Sequence, residues 1–203
     1  MSDPVALIEC YCFQSNFYAN YDLLSDRKIE DVNKIGARIG GKLFPKCKAV
    51  TKGTKNLCIF EYDLDGFLKL NDKTRNYHIK ELNQRTIKKL LEIKGIGLST
   101  ATKVLHTLYP KIIPMIDRAL QEEYRKEISP QWTEEQSDQI LIDYYNNLRE
   151  DDNLQHLTQI FDIISKNNLV GLTKVRIFDI LWWSYLKSKK LRQKGNINWC
   201  TIK

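Results

Sequence analysis

The sequence has few histidines and no paired-cysteine motif, and these shortages exclude several kinds of site. Its five cysteines form no C-x-x-C pair, and its three histidines (His78, His106 and His156) are widely separated. This spacing does not fit a zinc site, and the cysteine run that holds an iron–sulfur cluster is absent as well. An odd number of cysteines in this arrangement favours a reduced, intracellular compartment.

Long apolar runs are also missing. No stretch approaches the roughly 18 to 20 consecutive apolar residues that cross a bilayer. The opening MSDPVALIECYCF lacks the basic region and the small-residue cleavage site of a signal peptide. We therefore expect a cytoplasmic protein with no membrane partner, associated with the nucleoid if it is bacterial.

What the sequence has in excess is positive charge, with a formal net charge of +7. Residues 42–55 hold five lysines and no acid, and residues 187–203 hold five lysines and one arginine, again with no acid. Together these segments carry 11 of the 32 basic residues. Such clustering favours a polyanionic partner, because each neutralised phosphate releases counterions. The alternative is a solvated surface and a frayed tail.

The hydrophobic pattern is helical along most of the 203 residues and predicts a mainly α fold. Two helices carry start signals: Thr133 with Gln136 forms a capping box for a helix to about Leu148, and Thr173 caps the last helix. Apolar residues suited to a helix fill this last helix, at about 174–186, and five further segments, at about 5–24, 29–39, 85–93, 99–108 and 154–164.

One segment, residues 43–62, is ambiguous. Cys58–Tyr62 has a β-like composition and is followed by the turn signal DLDG, so a short β element and a helix both fit. In the last helix, Arg176 and Asp179 share one face. They form either a site or a structural ion pair that ties the helix into the core, and the ion pair is the favoured interpretation.

The stretch KGIGLST, residues 94–100, is the most informative part of the sequence. It joins two short amphipathic helices through four residues, Lys94, Gly95, Ile96 and Gly97. Ile96 can anchor the turn, and the glycines let the backbone approach a ligand closely. The next helix then presents its unpaired amide groups to an anion, and a nucleic-acid phosphate is the natural candidate. An ordinary αα-hairpin is the alternative.

The residues around this hairpin extend the anion site. Lys94 adds positive charge beside the turn, while Ser99 and Thr100 can cap the following helix or reach the same phosphate. Further along the chain, Asp117 follows the apolar run Ile113–Ile116. It directly precedes a helical segment, RALQEEYR, and can serve as the N-cap of that helix. Arg118 is either a phosphate contact or a surface residue.

The pattern apolar-x-Gly-Ile-Gly-x-Ser-Thr-Ala, with helices on both sides, resembles the helix-hairpin-helix DNA-binding motif. With Asp117 placed 22 positions after Gly95, it resembles the helix-hairpin-helix DNA glycosylase superfamily, and within it the endonuclease III and adenine-mismatch branch. The clear match covers about residues 85–120. The chain also resembles small bacterial proteins of the same pattern whose functions are not known.

The resemblance implies a two-lobed helical fold, with duplex DNA as the partner and Asp117 as the essential carboxylate. Bifunctional members place a nucleophilic lysine at the position of Ser99, so an enzyme without lyase activity is implied, with Lys103, one helical turn further on, as a weak substitute. Lys94 stands where the family has a proline. No iron–sulfur cluster or zinc is expected, and a monovalent cation at the hairpin is compatible with the resemblance.

The sequence therefore predicts one compact unit. One lobe spans roughly residues 29–125, a second combines 1–28 with 126–190, and residues 191–203 form a basic tail. Three functions remain open: a monomeric, monofunctional DNA glycosylase, a non-catalytic helix-hairpin-helix DNA-binding module, and a helical protein-interaction domain. Of these, we favour the glycosylase, because this function accounts for both the hairpin and the position of Asp117.

Overall fold

A computed structural model describes residues 30, 32–33, 36–37, 39–54, 56–128, 136–150, 152–166 and 172–193. Every regular element in these ranges is helical, which confirms the predicted mainly α fold. Within the same ranges, no helix combines the length and the apolar character needed to cross a membrane. The α-helices are α1 (Phe44–Lys52), α2 (Leu64–Leu68), α3 (Asp72–Leu82), α4 (Lys88–Leu91), α5 (Leu98–Leu108), α6 (Arg118–Ile128), α7 (Ser137–Arg149), α8 (Asn153–Lys166) and α9 (Lys174–Gln193).

The ambiguous segment 43–62 is helical, and the β alternative is wrong. It forms α1 and a 3₁₀ turn, Cys58–Glu61. Pro45 lies in the first turn of α1, where its missing amide hydrogen removes no intrahelical bond. The β-like residues that follow have no strand to pair with among the residues described here, so they close a short 3₁₀ turn instead.

The helix predicted to begin near residue 85 begins much earlier, at Asp72. Asn71 caps α3 by accepting a hydrogen bond from the Thr74 amide at 2.9 Å. The polar first turns concealed this start, because they bury a charged residue, Arg75, which is only 1% exposed. A π-helical segment, Asn83–Ile87, connects α3 to α4, and the Ser137 hydroxyl donates to buried Asn83 at 2.5 Å.

The predicted apolar stripes of α5, α8 and α9 contribute to a single hydrophobic cluster that extends from Val32 to Leu186. The chain folds so that α7 packs on α3, α6 and α8, α9 packs on α6 and α8, and α4 packs on α1 and α5. Thr173 caps α9 as predicted, its hydroxyl accepting from the Arg176 amide at 3.2 Å.

Several sequence predictions fall outside the described residues. These are the aromatic segment 5–24, the Thr133 half of the capping box and most of the tail 191–203. The division into two lobes stays a prediction for the same reason, since residues 1–28 belong to one of them. The site, by contrast, is built from residues of α4, α5, α6, α7 and α9 and from the loops between them.

Candidate nucleic-acid interface

A tight glycine turn joins α4 to α5. The Ile96 amide donates to the Ile93 carbonyl at 2.9 Å, which closes the turn. Gly95 adopts a φ of +96°, a left-handed conformation that a residue with a Cβ adopts only with strain. Ile96 is only 5% exposed, so it anchors the turn in the core as its sequence position predicts.

Gly97 is the N-cap of α5, and it leaves the beginning of the helix open. Its backbone is extended (φ −98°, ψ 175°), and no side chain caps the helix by a hydrogen bond. A Cβ placed on Gly97 would meet no atom within 4 Å. The first amide groups of a helix have no intrahelical partner and carry the positive end of its dipole. Together with exposed Lys94, they form a turn suited to an anion.

The two hydroxyl residues of this first turn differ in their surroundings. Thr100, predicted as a cap or a phosphate ligand, donates instead to the carbonyl of Ala37 at 3.3 Å. That bond ties α5 to the turn at residues 36–37, so the Thr100 hydroxyl is directed at protein. Ser99 is half-buried at the start of α5, in the position that the resemblance associates with a lysine in bifunctional glycosylases.

Buried side chains fix the non-helical segment that precedes Asp117. Tyr145 of α7 donates from its hydroxyl to the carbonyl of Ile112 at 2.5 Å. His106 of α5 lies 2.6 Å from the carbonyl of Ile113 through Nδ1, and because a carbonyl only accepts, Nδ1 carries the proton. These two bonds satisfy carbonyl groups that would otherwise be buried without partners.

The next two residues are held in the same way. The amide of Met115 donates to Asp179 of α9 at 2.9 Å, and the amide of Ile116 donates to the hydroxyl of Thr102 at 3.1 Å. Four side chains from α5, α7 and α9 therefore grip residues 112–116. Such support fixes the position of whatever follows the segment, as a preorganised site requires.

Asp117 is the residue that this segment positions. One carboxylate oxygen, Oδ1, accepts from the Leu120 amide at 3.0 Å, which makes Asp117 the N-cap of α6. The predicted capping role is therefore confirmed. Among the described residues, no hydrogen-bond donor contacts the second oxygen, Oδ2, and the side chain is only half-buried. The cap fixes the carboxylate while it leaves one oxygen for another partner.

Lys103 and Arg176 add positive charge near this carboxylate. Burial lowers the pKa of the Lys103 ammonium below its ordinary range, the negative charge of Asp117 opposes that shift, and Arg176 adds to it. The Lys103 Nζ lies 3.8 Å from the position that a Cβ on Gly36 would occupy. A half-buried lysine in the middle of α5, a carboxylate and an arginine therefore share one electrostatic environment.

Arg176 and Asp179 do not make the direct ion pair that the sequence favoured. Asp179 instead accepts from the Met115 amide and, at 2.8 Å, from the Tyr144 hydroxyl. The guanidinium of Arg176 lies 4.0 Å from the sulfur of Met115. Burial raises the pKa of Asp179 to about 7, although Met115, Arg176 and Tyr144 all oppose the rise. Asp179 therefore holds the segment in place through the Met115 amide. This role is structural, as predicted, but it does not depend on an ion pair with Arg176.

Arg118, predicted as a phosphate contact or a surface residue, is exposed and pairs with Glu122 at 2.9 Å. The bracing residues were missed by the sequence analysis, apart from Asp179. One signal was available, because Thr102 and His106 are polar residues four positions apart and therefore lie on one face of α5. Nothing in the sequence pointed to Tyr145, which contacts the segment from 33 residues away.

The described helices define a mainly α protein in which a glycine hairpin precedes a braced carboxylate. Residues 66–186 match the model of a family of unknown function, DUF6308, and the chain belongs to that family. The matched range contains the hairpin, the braced segment and Asp117, whereas α1 precedes it. No curated protein and no solved structure matches the chain.

Proposed function

We propose that this protein is a monomeric, cytoplasmic DNA-binding protein that acts as a monofunctional DNA glycosylase. In this proposal the hairpin binds duplex DNA, a modified or mispaired base leaves the base stack, and Asp117 assists hydrolysis of its N-glycosidic bond. The observation that carries the proposal is the Asp117 carboxylate. It is fixed by a cap at Oδ1 and by the braced segment before it, and its Oδ2 has no protein donor among the described residues.

The DNA-binding step uses the open start of α5. A phosphate placed beside Gly97 would accept from the first amides of the helix and lie close to the Lys94 ammonium. These contacts read no base, so they serve positioning rather than sequence recognition. The binding is expected to weaken steeply as salt rises, since each phosphate contact releases counterions.

The chemical step needs one well-placed negative charge. As the bond between C1′ and the base nitrogen breaks, positive charge develops on the deoxyribose, and a nearby carboxylate stabilises it. Water then supplies the oxygen of the new C1′–O bond, and the departing base takes the bonding electron pair and a proton. A carboxylate serves this purpose best when its position is already fixed, as the braced segment fixes Asp117.

The proposal excludes cleavage of the DNA strand by an amine nucleophile. Ser99 stands where the resembling bifunctional enzymes carry their lysine, and a hydroxyl forms no Schiff base. Lys103 lies one turn further along α5 and is assigned an electrostatic role beside Asp117. Released base with an intact sugar–phosphate backbone is therefore the expected product.

The test is base release from a panel of duplexes that carry deaminated, alkylated, oxidised or mismatched bases. Asp117→Asn is the matched variant, because asparagine caps helices about as well as aspartate and removes only the charge. The proposal expects at least one duplex to lose its base with the wild-type protein and to keep it with the variant. If the wild-type protein releases no base from any duplex, the enzymatic proposal is wrong.

A non-catalytic DNA-binding module is the second candidate, and two observations favour it. The Asp117 carboxylate already has a structural use as the cap of α6. In addition, neither of two surface cavities, of about 450 and 510 Å³, involves Asp117: one is lined in part by Phe60 and Lys111, the other by Arg149 and Gln159. Salt-dependent binding without any released base would favour this candidate.

A further inference from the structure

Helix α1 and the turn before it carry a cluster of exposed lysines. Residues 42–54 contain no acidic residue, and α1 packs inward through fully buried Cys47. The lysines of this cluster, called the α1 lysines below, are all exposed to solvent: Lys42, Lys46, Lys48 and Lys52. Positive charge is therefore concentrated along α1 and the turn before it.

Some exposed basic residues of the described structure are paired with carboxylates, whereas the α1 lysines are not. Lys48 lies 5.7 Å from the centre of the Phe44 ring, and no α1 lysine makes an ion pair with any described acidic residue. Because pairing cancels charge locally and no acid lies within residues 42–54, described side chains do not neutralise the charge of this cluster. The neutralised pairs are Arg85–Glu81, Arg118–Glu122, Arg149–Asp72, Lys174–Asp65 and Lys189–Glu123.

Helix α1 adjoins the hairpin directly. A side-chain carbon of Leu43, the N-cap of α1, lies 3.8 Å from the position that a Cβ on Gly95 would occupy. Helix α1 also packs against α4, which leads into the hairpin. The bond from Thr100 to Ala37 ties the start of α5 to the turn that precedes α1. Helix α1 and the hairpin therefore form one continuous surface.

We infer that the α1 lysines form a second contact with the phosphate backbone of duplex DNA, beside the hairpin. This inference rests on the proposed DNA binding and is independent of any chemistry at Asp117. From Lys46 to Lys52 the helix rises about 9 Å, at roughly 1.5 Å per residue. One DNA strand carries a phosphate about every 3.4 Å along its axis, so these side chains span roughly two to three phosphates.

The test replaces three α1 lysines by glutamine, in the variant Lys42→Gln, Lys46→Gln and Lys52→Gln. The matched control removes the same charge from three exposed lysines elsewhere, in the variant Lys69→Gln, Lys73→Gln and Lys80→Gln. Affinity for an undamaged duplex is measured from 50 to 300 mM salt. Each lost phosphate contact flattens the plot of log affinity against log salt by about 0.9, so a change of about 2 to 3 is expected for the α1 variant.

A third variant, Gly97→Val, separates this inference from the proposed function. If the α1 variant keeps the wild-type salt dependence while Gly97→Val loses binding, the inference is overturned and hairpin binding stands. Equal effects of the α1 variant and the control would also overturn it, because net charge alone would then explain both. A wild-type protein that binds no duplex overturns both proposals. Tighter binding to RNA duplexes or anionic vesicles than to DNA would overturn the choice of partner.

Discussion

Asp179 and His106 give this protein a stability profile that a single substitution can reveal. Both are buried and both brace the segment before Asp117, but burial acts on them in opposite directions. It raises the pKa of Asp179 from an ordinary 3.8 to about 7. It lowers the pKa of His106 from an ordinary 6.5 to about 3, an effect that the charge of Arg176 reinforces. Near pH 5, Asp179 is therefore protonated and His106 is neutral in the folded protein. In the unfolded chain, Asp179 is ionised and His106 is protonated.

The signs of the two contributions follow from linkage. The folded-state pKa of Asp179 is raised. Its contribution to the free energy of unfolding is therefore complete below about pH 4 and is lost as pH rises through about 7. The folded-state pKa of His106 is lowered, so its contribution is complete above about pH 6.5 and is lost as pH falls toward 3. One unit of pKa shift corresponds to about 1.4 kcal/mol, so each contribution to the free energy of unfolding amounts to roughly 4 to 5 kcal/mol. The two contributions change in opposite directions with pH and nearly cancel.

The substitution Asp179→Asn removes the contribution of Asp179 and keeps a side chain that can accept a hydrogen bond from the Met115 amide. Relative to wild type, the variant should gain stability as pH rises. The difference in the free energy of unfolding between the two proteins should increase by roughly 3 to 4 kcal/mol from pH 4 to pH 7. All other titrating groups are common to both proteins and drop out of that difference.

The assay is urea unfolding of both proteins at half-unit steps between pH 4 and pH 7.5. The converse variant, His106→Gln, should show the opposite trend and lose stability relative to wild type as pH rises from 4 to 6.5. A raised pKa of Asp179 is ruled out if the difference in the free energy of unfolding between Asp179→Asn and wild type stays constant over this range. That result would mean that Asp179 is already ionised at pH 4 in the folded protein.

Three other predictions concern the hairpin, the braced segment and the product. Gly97→Ala should lower the melting temperature only slightly, because its Cβ enters open space and alanine is a poorer N-cap than glycine, yet it should weaken DNA binding. Gly95→Ala, at a φ of +96°, should destabilise the fold by about 1 to 3 kcal/mol. Equal melting temperatures of the two variants would contradict this. Thr102→Val should cost about 1 to 3 kcal/mol in urea unfolding, because the Ile116 amide loses its acceptor, and should slow base release without changing DNA affinity. Borohydride should trap no covalent complex with abasic DNA, and a trapped complex lost in Lys103→Gln would contradict the assigned role of that lysine.

Features encoded by neighbouring residues could be predicted from the sequence. The hairpin, the N-cap at Asp117 and the cap at Thr173 depend on residues within a few positions of one another, and all three lie where the pattern places them. The segment 43–62 was ambiguous because its β-like composition carries no information about whether a partner strand exists. Arg75 concealed the start of α3, since a buried, hydrogen-bonded arginine interrupts the apolar pattern in the same way as an exposed one.

The bracing of residues 112–116 depends on contacts that are distant in sequence. Asp179 contacts Met115 from 64 positions away, and Tyr145 contacts Ile112 from 33. Neither contact follows from periodicity. The sequence pattern of an apolar run followed by an acid is the same whether or not other helices hold the segment in place. The sequence could therefore nominate Asp117, but the reason for its fixed position is tertiary.

The most direct test of the central claim is a single-turnover comparison of wild type and Asp117→Asn on the duplex that wild type processes best. We expect equal DNA affinity, equal thermal stability and a base-release rate lowered on the order of 100-fold or more in the variant, since only the charge beside the sugar is removed. Release of the base at the same rate by both proteins would show that Asp117 has no part in the reaction.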